Sequence, residues 1–133
     1  MRYLTTLLIA VACLVHSNLF SQNYTPYSTE DLEHLKNQIK DSVYNYKYSD
    51  AIRDTYKLIE ESKKSNSDFY EFRALIELGF IHHLINDSEK ANLYTKQALD
   101  KAIETKTDSL IAWAYNDIAN IQTVTKDNYT ELI

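Results

Sequence analysis

His82 and His83 are the first residues of this 133-residue chain that invite a chemical reading. A zinc-binding helix carries two histidines at i and i+4, on one face. Adjacent residues on a helix point about 100° apart, so this pair cannot readily share one ion. Asp87 lies four residues past His83 but in a turn-like run, and His16 and His34 are remote in sequence. His82 therefore reads as a packing residue, and no metal site is expected. The acidic residues Glu60, Glu61, Asp100 and Glu104 stand among lysines. Glu60 and Lys64 form an i,i+4 pair, the pattern of a solvated helix face. Paired carboxylates doing acid–base work would need a buried cleft, and nothing in the spacing indicates one. No Ser/His/Asp order with a nucleophile turn is present. The single Gly argues against the loops that cradle phosphates or dinucleotides. With no catalytic residue and no cofactor motif, the chain does not read as an enzyme.

Composition narrows the classes further. Apolar residues make up 44% and charged residues 25%, a globular balance. One Gly and one Pro among 133 residues disfavour tight β-hairpins and suit helices joined by short polar turns. The net charge of −5 argues against a basic face for nucleic acid.

The first 21 residues read as an address. Met1-Arg2 is followed by a mostly apolar run from Leu4 to Val15 and then by polar residues, the layout of a secretory signal peptide. The run is shorter than the roughly 20 residues a bilayer span needs. Cleavage is expected after Ser21, with Ser17 as the alternative, and the Phe20-Ser21-Gln22 ending resembles signal peptides of the Bacteroidetes group. Ala-Val-Ala-Cys at 10–13 leaves a lipoprotein reading open through Cys13, and an uncleaved N-terminal anchor is a further alternative. Cys13 is the only cysteine, so a chain cleaved at Ser21 holds itself by packing without disulfides. The expected product is exported, periplasmic or extracellular, with no membrane span in the mature chain.

The elements that would position any site follow from a repeat. At an offset of 40, Ala74 falls on Ala114, Glu77 on Asp117, Leu78 on Ile118, Gly79 on Ala119, Ile81 on Ile121 and Ala51 on Ala91. A period of this size marks stacked helical units. Ser28 and Asp31 form a capping-box-like start, followed by Leu32, Leu35, Ile39 and Val43 at helical spacing. A turn at Tyr46-Lys47-Tyr48 precedes a second helix from about Ser49, broken by Ser65-Asn66-Ser67. A third helix is expected over about Asp68–Ile85, a fourth over about Ser88–Lys106 and a fifth over about Asp108–Thr125. A turn at Asp127-Asn128 then opens a sixth from Tyr129. The expectation is an all-α solenoid of about 2.5 helix-turn-helix repeats. Residues 1–21 are the signal peptide, 22–27 a linker, and 28–133 a repeat domain incomplete at its C-terminus.

Leu78-Gly79, with Ala91 twelve residues later and Ala98 seven after that, resembles the tetratricopeptide repeat. Gly79 and Ala91 lack bulk where two helices would cross, and Ala98 makes room for the next unit; Ala119 keeps the small position in the third. The period of 40 exceeds the family's usual 34, and the Pro that usually ends the second helix is missing. The resemblance implies a concave groove lined by the first helix of each unit. Carried over by register, it assigns Arg73, Ile76, Phe80 and His83 in one unit and Trp113, Asn116, Asn120 and Thr123 in the next. Trp and Arg are favoured at binding hot spots. No Lys accompanies Asn116 and Asn120, unlike the carboxylate clamp that chaperone-binding members use. The implied function is protein–protein interaction: an exported module taking a protein or peptide in its groove. An alternative is the N-terminal sensor part of a membrane-anchored signalling protein or transcriptional regulator, because flavobacterial regulators of that layout resemble this sequence.

Overall fold

The computed structural model describes residues 25–130, with side chains as far as residue 122. These residues form five helices and no strand: α1 (Thr29–Tyr44), α2 (Tyr48–Lys64), α3 (Asp68–Leu84), α4 (Ser88–Glu104) and α5 (Asp108–Thr130). Residues 1–21, expected to be a signal peptide and including Cys13, lie outside the described residues. No helix among the described residues is long and apolar enough to cross a membrane.

α1 begins on a capping box. The Asp31 amide donates to the Ser28 hydroxyl at 3.1 Å, and the Ser28 amide donates to the Asp31 carboxylate at 2.9 Å. Three-residue turns join successive helices, and each holds its middle residue in the left-handed region: Tyr46, Asn66, Asn86 and Lys106. At the first three turns the next amide reaches back over the helix end, Lys47 to Ser42, Ser67 to Ser62 and Asp87 to His82, each at 2.8 Å. This is the Schellman closure of a helix C-terminus. It is made here without glycine, twice on Asn, the residue besides Gly that most readily adopts this conformation. The left-handed residues fall twenty apart, as do the starts of α2 to α5.

Consecutive helices pack against one another. α3 also touches α1 on one side and α5 on the other, whereas the α2 and α4 backbones stay apart. The odd-numbered helices thus form the closer-set row. α3 is buried on two faces. Tyr70, Ala74 and Ile81 join Leu32, Leu35 and Ile39 of α1 and Ala51 and Leu58 of α2. Phe72, Leu75 and Ile76 join Ala98 and Ala102 of α4 and Leu110 and Ala114 of α5. A helix enclosed on two sides needs apolar residues around most of its circumference, which is why α3 carries nine buried residues.

Gly79 lies where α3 and α4 cross. A Cβ built on it would stand 2.7 Å from Thr95 Cγ2 and 3.4 Å from the Ala91 carbonyl oxygen. Leu78, Ala91 and Ala98 are buried. Ala119 is exposed, with no helix packed over that face of α5 among the described residues.

Two expectations are corrected. The fifth helix does not turn at Asp127-Asn128; α5 continues to Thr130. Asp and Asn are only weak helix formers, but no Gly or Pro breaks the run. Tyr27, assigned to a linker, belongs to the fold: it packs on the first core, its carbonyl accepts from the Ser65 hydroxyl at 2.8 Å, and Lys57 stands over its ring.

Candidate functional site

The row α1–α3–α5 presents a polar and aromatic seam. On the α1 side, the Tyr70 hydroxyl donates to Glu33 at 2.9 Å, and Lys36 pairs with the same carboxylate at 2.7 Å. These two bonds, Lys36 first, hold the Glu33 carboxyl below its usual range. On the α5 side, Arg73 pairs with Asp117 at 2.9 Å, and Phe69 meets Trp113 edge to face at 6.1 Å between centroids.

Two cavities open along this seam and share the Arg73–Asp117 pair as a common wall. The first, of about 360 Å³, is lined by Lys36, Phe69, Arg73, Trp113 and Asp117. The second, of about 190 Å³, lies between α3 and α5. Ile76, Phe80 and Ile121 give it apolar walls, and Glu77 and Asn120 join the pair as its polar groups. Trp113, Asp117 and Asn120 follow one another at i, i+4 and i+7, which aligns them on one face of α5.

Of the residues assigned from sequence, Arg73, Ile76, Phe80, Trp113 and Asn120 come together here. His83 is half-buried and Asn116 exposed, and neither lines these two cavities. Asn120 is therefore grouped with Asp117 rather than with Asn116. Thr123 lies beyond the described side chains. Asp117, Glu77, Lys36 and Phe69 are residues of the site that the groove register did not assign. A signal for two of them was present: Glu77 and Asp117 coincide in the 40-residue offset, an acidic position kept on the row-forming helices.

Glu77 is the electrostatic anomaly of the site. Among the described residues no ion pair or hydrogen bond reaches its carboxylate. Arg73, one turn earlier, stands at the spacing that stabilises helical ion pairs but commits its guanidinium to Asp117. Burial pushes the Glu77 carboxyl above the usual 4.5, and the fields of Arg73 and Lys40 offset this only in part. A raised carboxyl pKa in the folded state means that the ionised form opposes folding. The penalty is absent below the unfolded value of 4.5 and grows as pH rises through the folded one. Glu77→Gln is therefore expected to melt above the parent at pH 7, with the gap closing toward pH 4. Thermal unfolding followed by circular dichroism across that range measures it; a Gln variant no more stable at pH 7 would contradict the assignment.

The polar cluster around Lys101 is internally matched, whereas both buried ring nitrogens of His82 lack a hydrogen-bond partner among the described residues. A cavity of about 420 Å³ beside the α2–α3 turn includes Lys63, Asp68, Glu71 and Lys101. There Lys101 pairs with Asp68 at 2.8 Å and Glu71 at 2.9 Å. His82 is buried and stacked on Tyr94 at 5.4 Å, with its Nδ1 3.3 Å from Asp87. Among the described residues no three His, Cys, Asp or Glu side chains gather as a metal site would require.

Comparison with known proteins yields no match: no family model, no curated protein and no solved structure matches the chain.

Proposed function

We propose that the chain is a non-enzymatic interaction module of the tetratricopeptide kind, a solenoid of two-helix repeats with a 40-residue period. It receives a protein or peptide segment along the α1–α3–α5 row. The seam of adjoining cavities between α3 and α5 carries this reading, because it joins an exposed Trp, an Arg and apolar walls on one continuous face. The twenty-residue recurrence of helix starts and left-handed turns supports the repeat, as does the close approach at Gly79. Trp113 is 48% exposed, so it holds apolar area for a partner to bury.

The test is capture of partners by the parent and by Trp113→Ala. Truncating a hot-spot Trp costs about 2 kcal/mol or more of binding, roughly thirtyfold in affinity. Helicity and melting are expected to change little, because the ring is half in solvent. Undiminished capture by the variant would move the binding surface elsewhere; an unfolded variant would assign Trp113 to the core. The reading includes export with loss of residues 1–21. The mass of the purified chain's N-terminus tests that part, and an intact Met1 on a cytoplasmic chain would defeat it.

A further inference from the structure

We infer that the small cavity between α3 and α5 takes the cationic side chain, lysine or arginine, of a peptide lying along the groove, with Glu77 as its counter-charge. The inference rests on the groove reading and names the chemistry of its occupant. Glu77 is a carboxylate set beside apolar walls, and among the described residues no cation lies within ion-pair distance of it. Its obvious partner, Arg73, is taken by Asp117 at 2.9 Å. Lys40 on α1 is exposed and reaches Glu77 only through its field, which water screens.

The walls suit a long side chain. Ile76 and Ile121 are nearly fully buried, and Phe80, which lines the same cavity, is half-buried. Lysine and arginine lay an apolar stem along such a surface while the head keeps a polar partner. Phe80 adds an aromatic ring, which attracts a nearby cation. At about 190 Å³ the cavity falls below the roughly 300–1,000 Å³ of small-molecule sites; one side chain fits that scale better than a cofactor. Two carboxylates, Glu77 and Asp117, face the space against one guanidinium, so an anionic group would be repelled. A neutral apolar side chain would fill it but leave Glu77 desolvated and unpaired, which is costly.

The experiment uses the purified full chain, immobilised, and four end-capped pentapeptide pools. Each pool fixes the central residue as Lys, Arg, norleucine or Glu and varies the other positions equally; retained peptide is quantified by mass spectrometry. The Lys or Arg pool is expected to be retained about tenfold or more over norleucine, the scale of a charged hydrogen bond, and the Glu pool least. Whichever of the two leads identifies ammonium or guanidinium as the preferred head. Glu77→Gln, verified as folded by helicity and melting, should erase the preference, and Glu77→Lys should reverse it toward the Glu pool. Retention that falls in Trp113→Ala yet shows no preference for a cation would overturn this inference and leave the groove reading intact. A preference unchanged in Glu77→Gln would also overturn it. So would the absence of retention from every pool, with partner capture by the Trp113 variant then deciding the groove reading separately.

Discussion

Phe72→Ala is expected to cost about 3–5 kcal/mol, the range for removing a buried aromatic ring. Phe72 is fully buried, at 0% exposure, and is the largest such side chain among the described residues. It joins α3 to α4 and α5 through Ala98, Ala102, Leu110 and Ala114. Three of these four cluster members are alanines, which have no side-chain torsion with which to move into the space the ring leaves, so that any refilling falls to the larger Leu75, Ile76 and Leu99 of the same cluster. Small domains hold only about 5–15 kcal/mol in total, so the variant stands near the edge of folding. Denaturant unfolding gives the measurement; a loss under about 1 kcal/mol would mean that Phe72 is not enclosed by α3, α4 and α5. Phe80→Ala removes the same ring from a half-buried position and is expected to cost less.

Gly79→Leu is expected to destabilise by about 1–3 kcal/mol through overpacking. The sign is informative, because helix propensity alone favours replacing a mid-helix glycine, by up to about 1 kcal/mol. The contact geometry opposes that gain. The first added carbon already meets Thr95 Cγ2 at 2.7 Å. Thr95 cannot readily turn aside: it is buried, β-branched, and its hydroxyl donates to the Ala91 carbonyl at 2.9 Å. A smaller change isolates the cause. Gly79→Ala combined with Thr95→Ser should be more stable than the sum of the two single changes predicts, because serine keeps the hydroxyl and removes the clashing methyl. Coupling of about 0.5 kcal/mol or more is expected for residues in contact. Strict additivity, or a Gly79→Leu variant that melts with the parent, would show that the helices do not cross at this point.

Helix positions were largely legible from sequence because each helix is bounded by polar turn residues and carries apolar residues at helical spacing. Ser28 with Asp31 marked the first start, and Asn66 and Asn86 marked two of the left-handed turns. Tyr46 and Lys106 adopt the same conformation, although neither residue type announces it. At Tyr46 the turn is closed by the same backbone bond, Lys47 to Ser42, that the Asn turns make. Asp127-Asn128 resembles the earlier turn runs, yet α5 runs through it to Thr130, because a polar Asp-Asn pair without Gly or Pro is weakly unfavourable in a helix and does not by itself end one.

The candidate site was legible by residue type more than by grouping. Trp113, Arg73 and Phe80 could be nominated because their types suit binding surfaces. That Arg73 would choose Asp117, 44 residues on, over Glu77 at the nearer i,i+4 position is invisible to local spacing. Side-chain pairing across helices depends on how α3 and α5 are set against each other, and a shift of one residue in either would change it.

By itself the sequence determined the helical class, most helix boundaries and the small residues at the α3–α4 crossing, because each depends on local periodicity, capping and side-chain volume. The tertiary structure alone decided that Glu77 is left without a cation beside an apolar wall, that Asn120 rather than Asn116 joins the cavity, and that Tyr27 packs against the first core. These are outcomes of long-range packing. Burial sets the electrostatic cost of a charge, and burial depends on which helices come together.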